Sequence, residues 1–236
     1  DTYYQTEKGY EDLINSSYVF TRSLFGGGSD YSPLVIFGTD IWTNGSDGSF
    51  IEFNAYNSAI QPANPVLWYL WSSFYQGIAA CNTAISRAET VTDMSEEQIT
   101  ARVSEAYFLR AWYYHILVMH FGGVPLQTEE VTEVVTTAIR ASEDEVYNQI
   151  IEDLLFAEKN LPDNQSDFGR ATKPAAQALL ARVYLTLEKN EEAATYAKKV
   201  INNYSFSLLD DYAELWNPDN RVNSEVIWSI QFSQDE

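Results

Sequence analysis

The sequence predicts a mainly all-α protein of tetratricopeptide-like helical hairpins, interrupted by one long loop-rich excursion and carrying little β structure. Three observations lead there. Apolar residues recur at three- and four-residue spacings through most of the chain, the pattern of helices with one buried face. Ser95-Glu96-Glu97-Gln98 and Ser142-Glu143-Asp144-Glu145 are capping boxes that mark two helix starts. Ala181, Tyr184, Ala193 and Ala197 follow the small-large-small-small offsets of a helical repeat, in which alanines let two helices approach and tyrosine fills the gap.

Residues 7–24 form the first helix, with Tyr10, Leu13, Ile14, Tyr18, Phe20 and Thr21 as its stripe, and Gly26-Gly27-Gly28 end it. The excursion follows over residues 26–65, where 21 residues are Gly, Ser, Asn, Asp or Pro, too many for a regular helix. Aromatics run through it: Tyr31, Phe37, Trp42, Phe50, Phe53 and Tyr56 alternate with Asp40, Asn44, Asp47, Asn54 and Asn57. An aromatic-rich loop of that length inside one domain points to function. From residue 65 to 89 a helix carries Leu67, Trp68, Trp71, Tyr75, Ile78, Ala79, Asn82 and Ile85 as its apolar stripe. The next, from Ser95 to about Phe121, is apolar nearly all round in its second half, so other helices must surround it. Gly122-Gly123 stops it and Val124-Pro125 forces an extended exit.

After Ser142, Val146, Ile150, Ile151, Leu154, Leu155 and Ala157 form a buried stripe. Pro174 stands near the start of a helix through Leu187; Asn190 caps the last, with Ala193, Ala194, Ala197, Val200 and Ile201 facing inward. Val226 to Phe232 alternates like a short strand or extended segment. The whole is expected to be one domain, residues 1–236: excursion 26–65, hairpin body 66–204, and an irregular tail 205–236 leading into a further C-terminal portion.

Charge and residue usage narrow the chemistry. With 34 acidic against 14 basic residues the net charge is −20, a field that repels nucleic acid. The longest apolar stretch, residues 106–121, is broken by Arg110 and His115 and falls short of the ~20 residues a bilayer span needs. The single cysteine, Cys81, reads as a buried small hydrophobe. His115 and His120, five apart, lie about 140° apart on a helix and cannot share a metal. Arg110, a charge in an apolar helix, calls for a structural ion pair with Asp153 or Glu152. Asp40 with Asp47, and Glu129 with Glu130, are carboxylate pairs, but no motif positions either for glycoside hydrolysis, and no enzyme is expected. No cofactor is expected; Asp30, Asp40 and Asp47 could hold structural calcium, yet no twelve-residue loop pattern accompanies them.

Four segments carry a resemblance to a known family: residues 68–85 (WYLWSSFYQGIAACNTAI), 105–126 (EAYFLRAWYYHILVMHFGGVPL), 142–162 (SEDEVYNQIIEDLLFAEKNLP) and 169–187 (GRATKPAAQALLARVYLTL). In order and spacing the chain resembles the N-terminal portion of the SusD/RagB family, cell-surface glycan-binding lipoproteins of Bacteroidetes polysaccharide utilisation systems. The resemblance implies a non-catalytic protein of the outer membrane, on its extracellular face, lipid-anchored through a cysteine upstream of Asp1. It further implies an oligosaccharide ligand and, as partner, a SusC-like TonB-dependent transporter that receives the sugar. A tetratricopeptide-like protein-interaction scaffold without sugar affinity is the alternative.

A sugar offers apolar C–H faces and hydroxyl rims, so its site needs aromatic platforms beside amides and carboxylates. Residues 38–48 supply both. Trp42 is the candidate platform, Asn44 and Asp47 the hydroxyl partners, with Asn54 and Tyr56 as further glycan-binding candidates. Trp42 could equally plug the helical body, its Asp and Asn neighbours merely capping turns.

Overall fold

The computed structural model describes residues 2–24, 32–40, 50–134 and 136–232. Helix α1 (Glu7–Val19) is capped by Thr6, whose Oγ1 accepts from the Gly9 N–H at 3.1 Å, and continues as a 3₁₀ turn to Leu24. Two short helices, α2 (Ser32–Val35) and α3 (Ile51–Ala55), interrupt the excursion. The body consists of α4 (Pro65–Arg87), α5 (Glu96–Phe121), α6 (Glu143–Asn160), α7 (Lys173–Thr186) and α8 (Asn190–Asn203). Both capping boxes form: Ser95 and Gln98 exchange hydrogen bonds of 2.9 and 3.2 Å, Ser142 and Glu145 of 2.8 and 3.3 Å. The fold is all-α. Residues 226–232 are extended but pair with no neighbour among the described residues, so the strand-like alternation serves packing alone. There Trp228 donates its indole N–H to the Gly169 carbonyl (2.7 Å) and sets its ring edge-on to Phe108.

α5 is the centre. Residues 103–118 of it are buried on every side except Tyr107, with α4 and α6 along its flanks and α1 and α7 completing the cover. The cover is tight where α4 presents Gly77: a Cβ there would stand 2.6 Å from the Tyr113 ring, whose hydroxyl is tied to the Ser17 carbonyl at 2.6 Å. α7 and α8 form the repeat-like hairpin, Ala193 buried between them and Tyr184 stacked on Tyr196 at 5.6 Å and 16°.

Several expectations are corrected. On α4 the buried face is Val66, Leu70, Phe74, Gly77, Ile78, Cys81 and Ala84. Of the expected stripe Ile78 and Asn82 are buried, but the rest is rotated off this face: Trp68 and Ala79 are exposed, while Leu67, Trp71, Tyr75 and Ile85 are half-buried. The reason is steric. Gly77, Cys81 and Ala84 are the side that lets α5 come close, and an indole there would hold it off. Leu155 on α6, and Ala194 and Ile201 on α8, face solvent. α8 packs chiefly on α7, with Lys199 reaching Glu158 of α6 at 2.9 Å, so only the narrow seam of Ala193 and Val200 is buried. Asn190 is the first helical residue of α8, not its cap; Lys189 takes that place without a side-chain bond, because Glu188 at φ 59° turns the chain one residue early.

Two polar clusters hold the helices in register. Arg110 is buried and donates from Nε and Nη2 to both Asp153 oxygens (2.8 and 2.7 Å) and from Nη1 to Asn82 Oδ1 (2.8 Å) and the Thr128 carbonyl (2.9 Å). Glu105, with no exposed surface, accepts from Arg102 (3.0 Å), Arg170 (3.1 Å) and the Tyr18 hydroxyl (2.6 Å), and Glu11 also receives both arginines. Cys81 is buried, its thiol pushed up to about 12 by desolvation, which keeps it un-ionised and unreactive. His115 is only 2% exposed and neither ring nitrogen has a hydrogen-bond partner among the described residues. Burial, reinforced by Arg182 and His120, holds its pKa down at about 4.

Replacing Arg110 by methionine leaves the Asp153 carboxylate buried and uncompensated; urea unfolding should show a loss of about 3–5 kcal/mol. Asp153→Asn together with Arg110→Met should recover part of it. His115 gives a pH signature. Its folded pKa lies below the ordinary 6.5, so the unfolded chain binds the extra proton between about pH 4 and 6.5; its contribution is complete above pH 6.5 and is lost as pH falls toward 4. From pH 7 to pH 5 the protein should lose roughly 2 kcal/mol more than His115→Leu does, read by urea unfolding of both.

Candidate functional site

The rim at the N-terminal end of α4 is built from the helix start outward. Pro65 occupies the first turn, and Asn64 caps it, accepting from the Val66 N–H at 3.0 Å. The same Asn64 donates to Glu52 Oε1 (3.0 Å), which fastens α3 to the head of α4. Since the contact seam of α4 lies on its small residues, its tryptophans fall on the outer side. Trp68 is 63% exposed. Trp71, one turn further, is braced: Phe121 meets it edge-on at 5.1 Å and Tyr75 lies at 4.9 Å, with the Tyr75 hydroxyl bonded to the Pro125 carbonyl at 2.7 Å. Burial raises the Tyr75 phenol, so it stays a donor.

The opposite wall comes from the end of α5. Gly122, at φ 67°, ends the helix, and the chain leaves extended through Val124 and Pro125. Arg140 returns across this turn and donates to the carbonyls of Phe121 and Gly123, satisfying the helix end with a cation placed where the macrodipole favours one. Between the walls lies a groove of about 600 Å³, floored by Trp71 and Phe121 and edged by Pro62, Trp68, Pro125 and Arg140. It is mostly apolar, of the size and composition of a small-molecule cleft.

Of the residues expected to bind, Trp42, Asn44 and Asp47 lie outside the described residues, as does Asp30; the positions on either side of them are defined. Tyr56 follows α3 in the left-handed region (φ 48°) and is 71% exposed, its hydroxyl donating to the Gly38 carbonyl at 3.3 Å. Gly38, at φ 74°, allows this: a Cβ there would meet the Tyr56 ring and the Phe53 carbonyl at 2.6 Å. Phe50 is also left-handed (φ 56°) and sits 6.3 Å from Phe37. Asn54 is half-buried on α3. Asn54 lies on α3, the helix that Asn64 fastens to the head of α4 through Glu52, and Tyr56 caps its end. Neither lines the groove itself.

Trp68 and Trp71 are what the sequence reading missed as site residues, having been assigned to the core. The signal was there in the run of Gly77, Cys81 and Ala84, which marks a competing and closer-packing face. As for the carboxylate pairs, Glu130 is held by Arg87 in a bidentate bond of 2.8 and 3.1 Å, which pulls its pKa below the ordinary range and unfits it as a general acid. Among the described residues no group of three His, Cys, Asp or Glu could hold a metal, and no helix is long and apolar enough to cross a membrane.

Such a fold and rim define a helical-hairpin protein that turns an indole face to solvent at the head of α4. Residues 12–185 match the family described as "Starch-binding associating with outer membrane", and the chain belongs to this SusD-like family. It is 31% identical, over 98% of its own length and 47% of the relative's, to SusD-like protein P2 of Formosa agariphila. A solved laminarin-binding SusD-like protein superposes with a TM-score of 0.87 at 34% identity, covering 94% of this chain and 50% of that one. A structure described as containing a xylogluco-oligosaccharide gives 0.76 at 28%, over 95% and 46%. The chain spans about half the length of the curated relatives it matches first. Members of the family are carbohydrate-binding proteins, not enzymes.

Because Trp68 is exposed, Trp68→Ala should change stability by less than about 0.5 kcal/mol, whereas Trp71→Ala, which empties the floor against Phe121 and Tyr75, should cost about 2 kcal/mol or more. Equal losses in chemical denaturation would mean that Trp68 is core after all.

Proposed function

We propose that this chain is the helical portion of a non-catalytic surface glycan-binding protein, lipid-anchored at the outer membrane, that captures oligosaccharide and passes it to a SusC-like TonB-dependent transporter. The observation that carries the sugar-binding part is the Trp68 face standing open beside the braced Trp71. A pyranose presents an apolar C–H surface that an indole covers without losing hydrogen bonds, and a platform fixed before binding loses little entropy when the sugar arrives. In this reading Trp42, Asn44 and Asp47, together with Tyr56 and Asn54, supply a second aromatic face and the amide and carboxylate partners for the hydroxyls. The relatives that bind laminarin or hold a xylogluco-oligosaccharide support a neutral glucan as ligand, and the charge of −20 favours neutral over anionic polymers. The transporter and the lipid anchor rest on the family's character, since the functions of a protein twice this long extend beyond these helices.

Calorimetry with laminarin and xylogluco-oligosaccharides should show binding without turnover. Trp42→Ala and Trp68→Ala should each weaken it roughly tenfold with the fold intact. Full affinity in both variants, or release of shortened sugars, would overturn the assignment; no affinity in the intact protein would favour the protein-interaction scaffold.

A further inference from the structure

α5 is not covered along its whole length. In its first half Ile99, Val103 and Tyr107, spaced four apart and so on one stripe, floor a cleft of about 550 Å³. Ile85, near the end of α4, and Phe156 of α6 stand at its sides. The stripe runs about 12 Å along α5, and Ile85 lies roughly 25 Å along α4 from Trp68, so the cleft and the groove occupy opposite ends of that helix. Its shape is set in advance. The Tyr107 ring meets Phe156 at 4.3 Å and the Arg110 guanidinium at 5.1 Å. The loop at the mouth is pinned at one point by the Thr92 N–H, which donates to the Gln5 carbonyl at 3.0 Å, and at another by the Ser95 capping box.

That mouth is acidic. Glu89 and Glu96 line it, Asp93 and Glu97 stand exposed in the same stretch, and residues 88–101 contain no Lys or Arg. None of the four acids has an ion-pair partner among the described residues, because the flanking cations are engaged elsewhere: Arg87 by Glu130, Arg102 by Glu11 and Glu105.

We infer that this cleft docks an amphipathic helix of a partner protein, with its apolar side chains on the α5 stripe and Lys or Arg residues beside them against Glu89 and Glu96. An apolar floor offers an incoming backbone few hydrogen-bond partners, and a helix satisfies its own. Residues four apart on such a helix recur about every 6 Å, as Ile99, Val103 and Tyr107 do, so it can lie along α5 as one more packed helix. The uncompensated acids choose its flanks. They repel an acidic segment, and an uncharged one forgoes the attraction that speeds and orients encounter. Trp68 and its groove play no part, so this inference and the glycan reading stand or fall separately.

The test follows the Met94 ε-methyl and Ile99 δ-methyl signals of the intact protein, assigned by their loss in Met94→Leu and Ile99→Val. Three peptides are titrated at about 0.15 M salt: an amphipathic Leu/Lys helix, the same composition scrambled so that no apolar face forms, and a Leu/Glu helix. Saturable shifts are expected from the first, with the other two at least tenfold weaker. Glu89→Lys with Glu96→Lys should weaken binding at least tenfold. Reversing two exposed acids of the tail, Asp210→Lys with Asp219→Lys, should change it less than about threefold, and Trp68→Ala should leave it unchanged. No shift at about 1 mM peptide overturns the proposal. So do comparable binding of the scrambled or acidic peptide, equal losses in the two charge-reversed variants, and a crystal structure of the intact protein in which its own chain or a second copy fills the cleft.

Discussion

Arg110 is the fixed point of the molecule. It lies midway along α5, in the stretch 103–118 that has almost no solvent face, and its guanidinium reaches three separate pieces of chain: α6 through Asp153, α4 through Asn82, and the return from α5 through the Thr128 carbonyl. Asn82 extends the network by donating to the carbonyls of Gln127 and Glu129, and Gln149 braces Asp153 at 2.9 Å. Tyr113 on Gly77 sets the rotation of α4, but apolar packing is not directional and by itself leaves α6 freer to slide on α5. One buried charge with directional partners removes that freedom. The placement of the rim follows, because the end of α5 and the head of α4 are only as well aligned as this cluster makes them.

The helices, the two capping-box starts and the ion pair were legible because each rests on local chemistry. A capping box needs four consecutive residues, a Gly-Gly-Val-Pro stop another four, and a lone arginine in an apolar helix demands an acid on a neighbour; Asp153 met the demand. What was not legible was rotation. α4 carries two apolar faces, and only the neighbour decides which is buried; Tyr113 settled it by pressing on Gly77. The same holds at α8, where Ala194 and Ile201 look inward by periodicity but have no neighbour to meet. On the site, Tyr56 proved accessible, whereas the groove went unseen because its tryptophans had been spent on the core in the periodic reading. Trp42, Asn44 and Asp47 belong to a stretch without periodicity, from which no orientation can be read.

The Glu105 cluster does for the first helix what Arg110 does for the later ones. It joins α1 to α5 and, through Arg170 and the Ala171 N–H donating to Tyr18, to the connection before α7. That connection carries Gly169, to which the tail is attached by Trp228. A sequence of polar ties thus runs from the first helix to the extended segment, and each lets one irregular stretch lie on a rigid helix without burying unpaired backbone.

The turn around Gly38 has a consequence for how such a protein diversifies. Phe50 and Tyr56 hold strained left-handed conformations, and the Tyr56 ring rests against Gly38, whose carbonyl accepts its hydroxyl. Any side chain at position 38 would collide with the Tyr56 ring and the Phe53 carbonyl, so this turn can change over evolution only as a unit, glycine, ring and helix end together.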